Sequence, residues 1–192
     1  MRTGWIFAGL LAVMLPAFAA PQAQIVTSMG TITVALAADK APKTVANFVR
    51  YAREGHFDGT VVYRVVPGFV IQMGGYDGHG NYRTPHAPIP LETGNGLSNQ
   101  RGTLAMARDT PDSATSEFFI NLADNSYGLD PKPGDAPGTT GYAVFGQVTA
   151  GMDVVDAIAA VPVGGGQGPF PDAEPKTAVK ILKVTITDTA TP

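Results

Sequence analysis

The sequence predicts a mainly β fold, a closed antiparallel barrel capped by two α-helices. Three observations carry that expectation. Short runs rich in β-branched and aromatic residues recur along the chain, as at Thr60-Val-Val-Tyr-Arg-Val-Val66. Glycine and proline, 23 and 16 of the 192 residues, separate those runs. Two stretches carry the apolar spacing of an amphipathic helix.

The elements follow in order. Residues 1–19 read as a cleavable signal peptide: Arg2 supplies a positive start, Trp5 to Leu15 is apolar, and Ala17 and Ala19 are the small residues before a cut. The rival reading, a membrane anchor, would need roughly 20 apolar residues, and this run has eleven. One domain is then expected over residues 20–192, without tryptophan, because Trp5 is the only one. Ile25–Ser28 and Thr31–Leu36 alternate around Met29-Gly30 as a hairpin. Pro42 opens a helix with Val45, Phe48, Val49 and Ala52 on one stripe, and Gly55 closes it. Strands follow at residues 60–66, from Phe69 onward, at 104–108, 117–121 and 142–148. Met152 to Ala160 forms the second helix, stopped by Pro162, and Val179–Ile186 ends the fold. Residues 77–90, 130–141 and 162–176 are Gly- and Pro-rich loops.

Composition excludes several classes of function. A net charge of −3 offers nothing to nucleic acid or an anionic membrane. The chain has no cysteine, which rules out disulfides and thiolate metal sites. His56, His79 and His86 are too scattered for a helical metal pair, so neither metal nor cofactor is expected. Ser113 and Ser116 lack a nucleophile-elbow context. Gly164-Gly-Gly-Gln-Gly168 follows a helix rather than preceding one and has no lysine, unlike a phosphate cradle.

Chemistry concentrates in Arg64-Val-Val-Pro-Gly-Phe-Val-Ile-Gln-Met-Gly-Gly75. A two-residue turn would set Arg64 against Ile71. A three-residue turn, Pro67-Gly68-Phe69, sets Arg64 against Gln72 and Val65 against Ile71, keeping polar with polar. An ordinary surface arginine on an edge hairpin is the alternative. Downstream, Glu117, Phe119 and Asn121 share one strand face, while Phe118 and Ile120 share the other. Two adjacent phenylalanines cannot both point into one core. Leu104 and Met106 likewise oppose the small Ala105 and Ala107. If these strands lie beside the hairpin, a shallow apolar depression results, floored by Phe119 and Ala107 and rimmed by Arg64 and Gln72.

Those stretches, with Gly102-Thr-Leu-Ala-Met-Ala107, Ser116-Glu-Phe-Phe-Ile-Asn121 and Tyr142-Ala-Val-Phe-Gly146, resemble the cyclophilins, peptidyl-prolyl cis-trans isomerases. The likeness runs from about Ile25 to Ile186, and the Arg108 and Tyr142 variants are most similar to the bacterial, exported branch. The resemblance implies an eight-stranded barrel and catalysis of rotation about X-Pro bonds. That reaction breaks no covalent bond; its barrier of roughly 18–20 kcal/mol is lost amide resonance. As the bond twists, the proline nitrogen gains a lone pair, and a fixed cation donating to it stabilises the twisted state above either planar isomer. Arg64 is the expected donor, oriented by Gln72, with Phe69 and Phe119 completing the catalytic group. The resemblance further implies a proline pocket of Phe69, Phe119, Leu129 and Val70 with Met106 underneath. The substrate chain is held by a main-chain group at Arg108, and Tyr142 packs near the twisting carbonyl.

Four departures stand out against the family pattern. Val70 replaces a common methionine. Glu117 stands where glutamine is usual, an acid close to Arg64. Tyr127 occupies the region of the tryptophan that many eukaryotic members use to bind cyclosporin, and the loop from Asp130 to Gly141 is longer than in compact members. The expected partners are proline-containing unfolded or flexible polypeptides. A monomer in the periplasm or secreted, free of the membrane after cleavage, is the expected form. A holdase with weak isomerase activity is the alternative.

Overall fold

Eight strands form one antiparallel sheet in the computed structural model, which describes residues 20–187. The expected signal peptide, residues 1–19, lies outside the described residues. In chain order the elements are β1 (Gln22–Thr27), β2 (Gly30–Leu36), α1 (Pro42–Arg53), β3 (Thr60–Val66), β4 (Val70–Asp77), β5 (Thr103–Met106), β6 (Phe118–Asn121), α2 (Ser126–Leu129), β7 (Val144–Ala150), α3 (Met152–Ala159) and β8 (Ile181–Thr187). Across the sheet the order is β3-β4-β6-β5-β7-β2-β1-β8.

The sheet curls until its end strands face each other. β3 and β8 meet through an isolated bridge, Val61 to Lys180, and the Val62 amide donates to the Val179 carbonyl at 2.9 Å. No ladder joins them in the sheet order, so the fold is a curled half-barrel. The expectation of a closed barrel is corrected to that extent. Two helices were expected and three are present among the described residues, because α2 is a single turn too short to show a period. The first hairpin turns one residue early, at Ser28-Met29, with Thr27 paired to Gly30.

Apolar alternation explains where the core sits. Phe48 of α1 meets the rings of Phe57, Phe118 and Phe145 at centroid distances of 5.2, 5.3 and 5.3 Å. Each such ring stabilises the fold by about 1.5–3 kcal/mol on burial. Ile25, Ile32, Val62, Val65, Leu104, Ile120, Val155 and Ile158 join this cluster. Pro42 occupies the first turn of α1, where its missing N–H costs nothing. The remaining amides there are met from a distant loop. Glu92 accepts from the Lys43 amide at 3.1 Å and the Thr44 amide at 2.8 Å, placing an acid at the positive helix end.

A second, smaller apolar cluster lies on the opposite face of the sheet. Val70, Ala105, Phe119, Leu129 and Val144 form it, with Phe69, Ala107, Leu97 and Tyr142 packed alongside. The adjacent phenylalanines of β6 are thus divided between two clusters, Phe118 in the main core and Phe119 in the smaller one.

Candidate active site

The β3–β4 hairpin supplies the polar wall. Its register pairs Arg64 with Gln72 and Val65 with Ile71, around the expected Pro67-Gly68-Phe69 turn. The Arg64 Nη1 donates to the Gln72 Oε1 at 3.0 Å. The pairing shifts between Val62 and Arg64, so Tyr63 is the extra residue of a β-bulge. Its consequence is visible in the packing: Val62 and Val65 enter the main core, while Tyr63, itself buried, and Arg64 both turn away from it, toward Glu117 and Gln72. A bulge here sets two consecutive side chains on the same side.

The floor comes from β5 and β6. Gln72 is paired with Phe119, and Phe119 with Ala105, so the arginine, the amide and the ring lie across neighbouring strands. The small Ala105 and Ala107 leave the ring's face open. α2 brings in Leu129, and Tyr142 sets its ring edge-on to Phe119 at 5.7 Å and 75°. Together these groups line a groove of about 590 Å³.

Glu117 closes one end of the groove, where its Oε2 accepts from the Tyr63 hydroxyl at 2.7 Å. Burial raises the Glu117 carboxyl above the usual range; the Tyr63 hydrogen bond opposes that shift and the Asp109 charge adds to it. Burial also pushes the Tyr63 hydroxyl well up, and the Glu117 charge reinforces it, so the proton stays on the phenol. Gly74 and Gly75 make room for this pair. At Gly74, φ is +101° and a Cβ would sit 2.6 Å from the Ser116 carbonyl oxygen, while a side chain at Gly75 would strike the Glu117 carboxylate.

Beneath the groove runs a buried amide network. The Asn121 Nδ2 donates to Thr103 Oγ1 at 2.9 Å and to Asn99 Oδ1 at 3.1 Å. Asn125 donates to Asn121 Oδ1 at 2.7 Å and to the Phe69 carbonyl at 2.8 Å. Asn99 donates to Asp130 Oδ1 at 2.8 Å and to the Tyr142 carbonyl at 3.2 Å. The backbone of two groove residues, Phe69 and Tyr142, is therefore tied to one network.

The structure brings together Arg64, Phe69, Val70, Gln72, Ala107, Arg108, Glu117, Phe119, Leu129 and Tyr142. Met106 does not join them. It belongs to the main core on the opposite face, as alternation from Ala105 requires. Tyr127 is fully exposed and away from the groove, because in the single turn of α2 Leu129 takes the inward position. The Arg108 side chain is not free either: its Nε donates to the Gly141 carbonyl at 2.8 Å and its guanidinium lies 4.9 Å from the Tyr142 ring centre. Glu117 pairs with Tyr63 rather than Arg64. Sequence reasoning missed Tyr76, Tyr82 and Phe170 as groove residues, and Tyr63 as the buried partner of Glu117. The polar Tyr63-Arg64 pair in an apolar strand was the only signal for Tyr63, and Phe170 arrives from a loop with no signal at all. Among the described residues, no group of three or more histidine and acidic side chains could hold a metal ion.

Residues 22–186 match the family described as cyclophilin type peptidyl-prolyl cis-trans isomerase/CLD. The chain belongs to the cyclophilin family. A peptidyl-prolyl cis-trans isomerase of Acinetobacter baylyi is 45% identical over 186 residues, spanning 96% of this chain and 95% of the relative. Peptidyl-prolyl cis-trans isomerase B of Escherichia coli K12 is 45% identical over 163 residues, covering 84% of this chain and 97% of its own. The fold of this cyclophilin also matches a crystal structure of a Cryptosporidium parvum cyclophilin type isomerase solved in the presence of the dipeptide Ala-Pro. The TM-score is 0.72 at 22% identity, over 86% of this chain and 98% of that one. The activity of this cyclophilin is accordingly cis-trans isomerisation of X-Pro peptide bonds, and its substrates are proline-containing peptides.

Proposed function

We propose that Arg64 catalyses the rotation by donating a hydrogen bond to the proline nitrogen as the X-Pro bond twists. The observation that carries this reading is the 3.0 Å bond from Arg64 to Gln72 at the wall of a groove floored by Phe119. Gln72 fixes the guanidinium edge before substrate arrives, so little reorganisation is needed at the twisted state. The proline ring seats against Phe119, with Phe69, Val70 and Leu129 around it. Arginine suits the task because it stays charged and presents a rigid fork. The substrate backbone is held by the main chain near Arg108 and by the Gln72 amide.

We further infer that the enzyme is exported by cleavage of residues 1–19 and works in the periplasm or outside the cell as a monomer. There it shortens proline-limited folding steps that otherwise take tens to hundreds of seconds. The sequence of residues 1–19 supports this reading.

Two measurements test the proposal. A coupled prolyl-peptide assay on the chain starting at Ala20 should show turnover that Arg64→Ala removes; a holdase would instead suppress aggregation equally well with and without Arg64. Mass spectrometry of the protein from its own cells should find a terminus at or near Ala20. An intact Met1 on membrane-bound protein would overturn the export reading.

A further inference from the structure

Gln72 holds one edge of the Arg64 guanidinium, and a second group holds its face. The guanidinium carbon lies 4.7 Å from the centre of the Phe170 ring. Phe170 belongs to none of the strands around the groove. It sits in the loop after α3, and nothing in the surrounding Gly/Pro-rich sequence marks it.

That loop is fastened at several points. The Ala173 carbonyl accepts from the Val65 amide at 2.8 Å, next to Arg64 on β3, and the Ala173 amide donates back to the Phe170 carbonyl at 2.9 Å. Glu174 accepts from the Gly168 amide at 2.8 Å, and a side chain at Gly166 would run into its carboxylate. The Gly164-to-Gly168 run is thus a tight coil wrapped on Glu174. Phe170 also stacks with Tyr63 at 6.1 Å and 16°, so the bulge residue braces the ring as well.

We propose that Phe170 is a positioning residue for Arg64: its ring clamps the guanidinium plane so that the free N–H groups point into the groove. This rests on the reading of Arg64 as the donor to the proline nitrogen. A single hydrogen bond to Gln72 leaves the guanidinium free to swing about that bond. A ring on its face removes that freedom and keeps water from one side. The benefit lies in the twisted state, where the hydrogen bond must be aligned, and not in binding the planar peptide.

The test is a mutant cycle read by turnover and by NMR on the chain beginning at Ala20. Phe170→Leu should lower kcat by about five- to twentyfold with KM within about twofold, and Phe170→Tyr, which keeps the ring, should recover most of the loss. The Arg64 side-chain Nε–H and δ-methylene signals should carry the ring-current shift of Phe170 in the parent and lose it in Phe170→Leu. In the double variant Phe170→Leu/Arg64→Ala, the Phe170 substitution should add nothing further. If Arg64→Ala alone leaves turnover at the parental level, the catalytic reading of Arg64 fails. If Arg64→Ala lowers turnover while Phe170→Leu retains the parental kcat, raises only KM, or acts additively with Arg64→Ala, the positioning role of Phe170 is overturned.

Discussion

The Tyr63 hydroxyl and the Glu117 carboxylate share a 2.7 Å hydrogen bond at the end of the groove, in which Arg64 takes no part. The acid is partly buried, and that burial raises its pKa from the ordinary 4.5. Between 4.5 and the raised folded pKa, the unfolded chain has lost a proton that the folded chain still holds. This group's contribution to stability is therefore fully present below the unfolded pKa and is lost as pH rises through the folded one. Glu117→Gln should remove the loss. Denaturation midpoints of parent and variant, compared from about pH 4.5 to 8, should diverge in favour of the variant as pH rises. Burial lowers the pKa of His56, which works in the opposite direction, but it is common to both proteins and cancels in the difference. A difference that does not change with pH would show that Glu117 is not desolvated.

Arg64→Ala should cut kcat/KM by about a hundred- to a thousandfold, the usual cost of removing one preorganised donor to a developing charge. Its stability should change by less than about 1 kcal/mol, because the residue lies at the groove wall and not in the main core. A folded variant that turns over within about twofold of the parent would refute the assignment. Phe119→Ala should act differently, raising KM along with any loss of rate, since the proline would lose its floor. It also removes a buried ring and should destabilise the protein by about 3 kcal/mol or more.

Asn121→Ala tests the network under the groove. Asn121 is fully buried and hydrogen-bonded to Thr103, Asn99 and Asn125. Its loss leaves an Asn99 oxygen and an Asn125 N–H short of partners, at about 1–3 kcal/mol. Urea denaturation should show that drop, whereas Tyr127→Ala, on a fully exposed side chain, should stay within about 0.5 kcal/mol. Equal stabilities for the two variants would contradict the network.

Cyclosporin should inhibit this protein poorly compared with the tryptophan-bearing relatives. The chain's one tryptophan is Trp5, and Tyr127 points away from the groove. Among the described residues no indole offers its N–H and flat face to the drug, and Glu117 adds a charge that an apolar ligand would have to desolvate. Inhibition of the unaltered protein at nanomolar drug would mean that other groups form the site.

The hairpin register was legible because one pairing matched arginine with glutamine and the other matched it with isoleucine. The split of Phe118 from Phe119 was legible for a similar reason: period-two alternation cannot send neighbours to one core. Where alternation is broken, the pattern gave out. The bulge at Tyr63 puts two consecutive residues on one side, which a regular strand does not do. α2 has four residues, fewer than one period of a stripe can reveal. Met106 was drawn under the pocket by family likeness, although its own alternation with Ala105 put it on the far face. Phe170 reaches Arg64 only through tertiary folding of a loop, and no local pattern encodes that contact.

The loop that carries Phe170 also covers part of β3, the end strand of the sheet. Val65 spends its amide on Ala173, and Val62 spends its own on Val179. The substrates of this enzyme are proline-containing peptides, and a peptide in extended form can add itself to an open strand edge. A bare edge beside the groove would compete with it, capturing clients by backbone pairing and releasing them slowly. With those amides already engaged, a passing chain finds no template there, and the groove can bind a proline segment briefly and let it go.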